Sequence, residues 1–193
     1  MTNYISKLFK FKKKKITDNH LKNILSKVFF MPFTLGAWNY NLIKWLSDPS
    51  VNHYLETRWS IQDMESIRNF VSNMRTDPNN YLFAIRELKT EQHIGNIKLG
   101  PINTNHSYAD VSYFIGEKNA WGKGFATEAI QLVTHFAFEQ LHLHRLQAGL
   151  YASNIGSGKA LEKAGYHLEA VFKKQLKLDS NWEDHLWYAI FRE

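Results

Sequence analysis

Apolar positions along the chain alternate between two periods, and each change of period marks an element boundary. Val111-Ser112-Tyr113-Phe114-Ile115-Gly116 is rich in β-branched and aromatic residues, and Glu117, Lys118 and Asn119 break it with loop chemistry. From Thr127 the spacing becomes helical, with Ala129, Ile130, Leu132, Val133, Phe136 and Ala137 forming one apolar face. Toward the N-terminus, Lys27 to Phe33 has strand character, Trp38 to Leu46 is helical, and Ser47-Asp48-Pro49 reads as a stop. Ile61, Met64, Ile67, Phe70 and Val71 share one face of a second helix, which Asp77-Pro78-Asn79-Asn80 ends. Tyr81 to Ile85 and His93 to Leu99 form a hairpin, and Tyr108 to Ile115 adds a third strand. Arg145 to Tyr151 is a further strand, Asn154 to Tyr166 a short helix closing in a turn. Glu169 to Leu178 and Trp182 to Ile190 make a last hairpin around Asp179-Ser180-Asn181. The expected class is α+β, a mixed sheet with helices layered on it.

Chemistry concentrates where the strand at Val111–Ile115 gives way to the helix. Trp121-Gly122-Lys123-Gly124-Phe125-Ala126-Thr127 places two glycines at a sharp turn, where backbone N–H groups can approach a ligand. The first N–H groups of a helix have no partner inside it and lie at its positive end, so a phosphate or diphosphate is well matched. The segment is neither Gly-x-x-x-x-Gly-Lys-Ser/Thr nor Gly-x-Gly-x-x-Gly, so neither the nucleoside-triphosphatase nor the dinucleotide signature is present. A second strand-to-helix junction follows at Asn154-Ile155-Gly156-Ser157-Gly158-Lys159-Ala160-Leu161-Glu162-Lys163-Ala164-Gly165-Tyr166. Ser153 or Asn154 suits its N-cap, and Gly165 fits the left-handed position after its end.

Together the two junctions resemble the GNAT superfamily of acyl-CoA-dependent N-acetyltransferases, over roughly Phe29 to the C-terminus. The resemblance implies a central mixed, mostly antiparallel, splayed sheet flanked by helices. It also implies acetyl-CoA as co-substrate, with the pyrophosphate on Trp121–Thr127. Trp121 stands in the loop's Arg/Gln place, and Gly124 and Ala126 are its small residues. The Trp-Gly-Lys-Gly-aromatic-Ala-Thr-Glu-Ala wording is similar to the branch of ribosomal-protein N-terminal acetyltransferases and amino-sugar acetyltransferases. Asn154, Ser157, Lys163, Gly165 and Tyr166 match that branch's second motif. The pantetheine arm is expected along the main chain of Tyr113, Phe114 and Ile115, their side chains being core. One departure stands out: many relatives place a proton-donating Tyr in the second helix, and that position is Leu161 here. Ser157, one turn earlier, is the residue offered instead, although a serine there also suits simple capping. Asn154 is expected either to bond the pantetheine arm or to start the helix.

Acetyl transfer needs a neutral amine, a donor for the developing oxyanion, and help for a thiolate leaving group of pKa about 8.5. Ser157, Asn154 and Glu56 are the expected catalytic group. Glu56, in Tyr54-Leu55-Glu56-Thr57-Arg58, is expected to face the acceptor amine, with Asp110 and Tyr151 as alternative bases. The acceptor is a small-molecule amine, such as a nucleotide-linked amino sugar, or a protein N-terminus. The competing reading is a non-catalytic acyl-CoA-binding or nucleic-acid-associated module that kept the loop and lost the chemistry.

With 193 residues the chain suits one domain and buries its own core. No Cys is present, which excludes disulfides, thiol nucleophiles and Cys-ligated zinc. His142 and His144 could put two imidazoles on one strand face, but no third ligand accompanies them, so no metal is expected. Residues 1–27 hold eight Lys against Asp18, +7 of the chain's net +6, which leaves the remainder at −1. Residues 1–26 are accordingly expected to be a flexible basic arm ahead of a single acetyltransferase-like domain over 27–193. The arm could touch an anionic membrane or RNA weakly. No apolar run reaches membrane-spanning length and Lys interrupts any signal-peptide core, so a cytoplasmic protein is expected, with a homodimer left open as its assembly.

Overall fold

The computed structural model describes residues 27–32 and 38–193. The basic arm falls outside the described residues. Strand β1 (Val28–Pro32) leads to helix α1 (Trp38–Leu46), the single turn α2 (Pro49–Asn52), a 3-10 turn (Glu56–Trp59) and α3 (Met64–Thr76). Strands β2 (Tyr81–Glu87), β3 (His93–Asn103) and β4 (Tyr108–Ile115) form a meander. A second 3-10 turn (Lys118–Ala120) then introduces α4 (Phe125–Gln140), followed by β5 (Arg145–Tyr151), α5 (Ile155–Lys163), β6 (His167–Leu178) and β7 (Asn181–Phe191).

The seven strands lie in the order β1-β2-β3-β4-β5-β7-β6, and every neighbouring pair is antiparallel except β4 with β5. The α4 crossover makes that pair parallel. Its pairing runs only from Tyr108–Asp110 against Arg145–Gln147. Beyond those residues the two strands part, and Val111–Phe114 and Ala148–Tyr151 face each other across a cleft. This is the splayed, mostly antiparallel sheet that the resemblance implied.

Alternation along β2 divides the packing between two faces. Phe83 and Ile85 join Val28, Ile97, Leu99, Ile130, Val133, Leu146, Leu161 and Tyr166 under α4 and α5. Ala84 points the other way, to Leu42 and Leu46 of α1 and Ile67 and Val71 of α3.

Local chemistry moves three expected boundaries. Asp48 and Pro49 end α1, but Asp48 also accepts from the Ser50 N–H at 2.9 Å and starts α2, with Pro49 in the first turn. Ile61 is 82 % exposed and precedes α3 rather than sharing its buried face, because Asp63 and Ser66 form a reciprocal capping box that begins the helix later. Ile67 and Val71 carry the buried contact. Helix α4 starts at Phe125, ahead of its periodic face, because Gly124 takes the N-cap in the left-handed conformation.

Candidate active site

The loop between β4 and α4 is pinned at both ends. Trp121 caps the 3-10 turn, and its indole Nε1 donates to the Ile115 carbonyl at 2.7 Å. Of the main-chain groups expected to meet pantetheine, the Ile115 carbonyl is therefore already engaged. Gly122 and Gly124 hold φ of +73° and +82°, a region costly for any residue with a Cβ. Nothing lies within 4 Å of a Cβ placed on Gly122, so its requirement is purely conformational. No side chain caps α4 at Gly124, and the first helical bond runs from the Glu128 N–H to the Gly124 carbonyl at 3.1 Å. The N–H groups of Phe125, Ala126 and Thr127 thus precede the helical ladder and sit at the positive end of its dipole.

Two lysines flank this anion site. Lys123 is exposed beside it, and Lys27 Nζ donates to the Lys123 carbonyl at 3.0 Å. The buried Glu128 carboxylate accepts from the N–H groups of Lys27 and Val28 at 2.7 and 3.0 Å, which ties β1 to the first turn of α4. Phe125 is buried in the main core, so its side chain anchors the loop.

A cleft of about 650 Å³ occupies the gap between β4 and β5, and none of Trp121–Thr127 lines it. One wall is α5. Asn154 caps that helix, its Oδ1 accepting from the Ser157 N–H at 3.3 Å. Both expected roles of Asn154 are compatible, since the cap uses Oδ1 and Nδ2 can still donate to a pantetheine carbonyl. Ser157 lines the cleft, and its Oγ lies 2.7 Å from the Tyr113 hydroxyl, which also donates to the Ser157 carbonyl at 3.1 Å. Burial pushes the Tyr113 phenol up to about 12, against the opposing pull of its bond to Ser157. Leu161 is fully buried, joins the main core and offers no hydroxyl.

At the far end the 3-10 turn brings Glu56 to the cleft. Its Oε1 accepts from the Tyr151 hydroxyl at 2.5 Å and lies 3.6 Å from Arg58 Nη1. Arg58 Nη2 donates to the same Tyr151 oxygen at 2.7 Å, and its guanidinium stacks 4.4 Å from the Trp59 ring centre. The Tyr151 phenol is raised by burial first and then by its bond to Glu56. His185, opposite Tyr151 on β7, turns its ring over Gly149, where an added Cβ would lie 2.3 Å from Nε2. Burial lowers His185, with the Glu56 charge acting in the opposite direction, so the ring is neutral near pH 7. A carboxylate, a phenol and a neutral imidazole therefore gather around one mouth of the cleft.

The structure brings Glu56, Asn154, Ser157, Tyr113 and Phe114 onto one cleft, with Tyr151 as Glu56's partner. Asp110 stands apart, its Oδ1 accepting from Gln147 Nε2 at 2.7 Å where β4 and β5 still pair. His142 and His144 precede β5 rather than sharing a strand face, and no group of three potential metal ligands occurs among the described residues. Three features escaped the sequence reading: the Tyr113 side chain, the bond from Arg58 to Tyr151, and His185. The Tyr113 signal was present in the alternation that puts Val111, Tyr113 and Ile115 on one face, since a buried phenol needs a hydrogen-bond partner. The Arg58 bond and His185 carried no local signal.

A sequence profile described as an acetyltransferase (GNAT) domain matches residues 29–167. The chain is 40 % identical over 115 residues to the Bacillus subtilis protein named Probable N-acetyltransferase YjcK, covering 57 % of this chain and 61 % of that protein. The match thus spans less than two thirds of that relative's length. Over 81 residues it is 33 % identical to the Escherichia coli ribosomal protein uS5-alanine N-acetyltransferase, 42 % of this chain and 41 % of that one. The spermidine N-acetyltransferase of Vibrio cholerae, solved with CoA and spermine, superimposes with a TM-score of 0.76 at 17 % identity, over 85 % of this chain and 95 % of the other.

Proposed function

This chain belongs to the GNAT acetyltransferase family, and from that premise we propose that it moves an acetyl group from acetyl-CoA to the α-amine of a protein N-terminus. The transfer is a direct attack in a ternary complex. The observation that carries this reading is the cleft opened where β4 and β5 part, lined from Asn154 and Ser157 to the Glu56 carboxylate, with the uncapped first turn of α4 following the same strand β4 in the chain. Pyrophosphate on Phe125, Ala126 and Thr127 would lay the pantetheine along the unpaired edge of β4 and direct the thioester toward α5.

The chemistry balances with the groups at hand. Glu56 attracts the ammonium and accepts its proton, and the free amine attacks the thioester carbonyl. The tetrahedral adduct collapses with cleavage of the C–S bond, and the departing thiolate, held by a hydrogen bond from Ser157, takes up the proton that the attacking nitrogen sheds as it becomes an amide. Positioning amine and thioester is worth about 7–11 kcal/mol, more than a general acid's hundred- to ten-thousand-fold. The absence of a tyrosine at Leu161 is therefore compatible with turnover.

Charge selects among acceptors. Glu56 is the sole carboxylate among the described residues lining the cleft, and Leu42, Leu46, Leu55, Ile67 and Phe70 make its acceptor end apolar. One carboxylate suits one ammonium, whereas a polyamine carries several. Lys98 is the single lysine on the same lining, thin provision for the diphosphate of a nucleotide-linked amino sugar. The similarity to an enzyme acting on a ribosomal protein's alanine points the same way. Thiol release from acetyl-CoA, measured over peptides starting with Ala or Ser, nucleotide-linked amino sugars and polyamines, tests the assignment. The peptides should turn over fastest. Faster turnover of spermidine or an amino sugar would overturn the acceptor. CoA binding without release on any amine would favour a non-catalytic module.

A further inference from the structure

We infer that Tyr113 is a positioning residue for acetyl transfer: its phenol, supplied from strand β4, turns the Ser157 hydroxyl hydrogen toward the leaving sulfur. The inference rests on the acetyl-CoA reading of the cleft and adds a role that the sequence had left to the packed core.

Counting hydrogens carries the argument. Tyr113 has one hydroxyl hydrogen and two acceptors in reach, both on Ser157: Oγ at 2.7 Å and the main-chain carbonyl at 3.1 Å. Ser157 likewise has one hydroxyl hydrogen. When the phenol donates to the carbonyl, the serine hydrogen is spent on the phenol oxygen and none faces the cleft. When the phenol donates to Oγ, the serine hydrogen is released to an acceptor in the cleft. A thiolate is a strong acceptor, so charge developing on sulfur selects the second arrangement. The resulting chain runs from phenol to serine to sulfur, and each bond polarises the next.

The phenol holds its own proton throughout. Burial keeps it at about 12, well above a thiol of pKa about 8.5, so complete transfer from Tyr113 to sulfur runs uphill. Its part is to aim a donor. Asn154 fixes the other side of the same residue through the Ser157 N–H, which leaves the hydroxyl rotor as the remaining degree of freedom. Leu161 buries an aliphatic side chain on α5, so within this cleft the hydroxyl that reaches Ser157 comes from strand β4.

Tyr113→Phe keeps the ring and removes only the hydroxyl. Two readouts separate positioning from mere packing. The first is the ionisation of the CoA thiol in the binary complex, followed by thiolate absorbance. A hydrogen bond to the thiolate lowers its pKa, and Tyr113→Phe should raise it by about one unit, a tenfold weaker preference for the charged form. Ser157→Ala should raise it at least as far, with Tyr113→Phe adding nothing in the double variant. The second is kcat on the best amine, expected to fall roughly ten- to a hundredfold with CoA affinity unchanged. Equal thiol pKa values in wild type and Tyr113→Phe, or losses that multiply in the double variant, would overturn the proposal. If wild type acetylates no amine yet Tyr113 still sets the bound thiol's pKa, the transfer reading and the role in catalysis fail, while the Tyr113–Ser157–sulfur hydrogen bonding stands.

Discussion

The proposed transfer gives the Glu56 carboxylate a second task, meeting the acceptor, beside its observed bond to Tyr151, and its surroundings separate the two. Its side chain is 70 % exposed while Arg58 beside it is 11 % exposed, so the charge is presented to the cleft mouth by a guanidinium sheltered behind it. Glu56→Gln keeps an oxygen for Tyr151 and removes the charge. Acceptor kcat/KM should fall about ten- to a hundredfold, with CoA affinity unchanged. Steady-state kinetics against amine concentration checks this, and wild-type values would remove Glu56 from the site. Glu56 was legible as a carboxylate in the right stretch. Its partner Tyr151 sits on a different element, and Arg58 reaches Tyr151 across the fold, so no local pattern could have assembled the three.

Helix α4 shows what a single element can do when its first turn is left open. The anion site proposed for it consists of backbone N–H groups, which no side-chain substitution removes directly, but the backbone entering them depends on Gly124. Alanine there must adopt φ near +82°, and its Cβ would lie 3.2 Å from Lys27 Nζ. Gly124→Ala should destabilise the fold by about 1–2 kcal/mol and lower Tm by a few degrees. It should also weaken CoA binding, because the amides that follow are re-aimed. Calorimetric titration with CoA checks that second effect. A normal affinity would show that the pyrophosphate does not rest on this turn. The elements themselves were mostly readable from periodicity, since the apolar faces of α4 and α5 and the alternation in β4 are local properties of the chain. Errors fell at the starts of helices, where capping by Asp48 and Asp63 outweighs the apolar repeat.

At the scale of the whole molecule, two packed faces impose conditions on groups far from the chemistry. His93 is buried between them, its Nε2 2.9 Å from the Gly95 carbonyl and its ring edge-on to Trp45 at 4.9 Å between centres. Burial pushes its pKa down to about 4 from an ordinary 6.5. The unfolded chain therefore binds a proton between those values that the folded chain does not. Folding stability is complete above about pH 6.5 and falls as pH drops toward 4, by at most about 3 kcal/mol from this residue. Urea unfolding at pH 7 and pH 5 should show the loss, and His93→Gln should flatten that slope. An unchanged slope in the variant would assign the acid sensitivity elsewhere. Trp45 also fills the space against Gly116, so this packing abuts the strand that leads into the anion loop.

The amino-acid sequence by itself pointed to the family and to acetyl-CoA as the donor. Glycines at a strand-to-helix turn, an asparagine cap and a serine one turn on are local features, and their meaning survives without knowing what packs where. It also determined that a hydroxyl was missing at Leu161. Tertiary structure decided which hydroxyls meet and where the carboxylate of Glu56 stands. Pairing of β4 with β5 stops after Asp110 and Gln147, which opens the cleft. Tyr113 crosses it to Ser157, and Glu56, Tyr151 and His185 meet at its mouth. Those residues are brought together by sheet order and splay, which arise from burial summed over the whole chain and leave no trace in the spacing of any one segment.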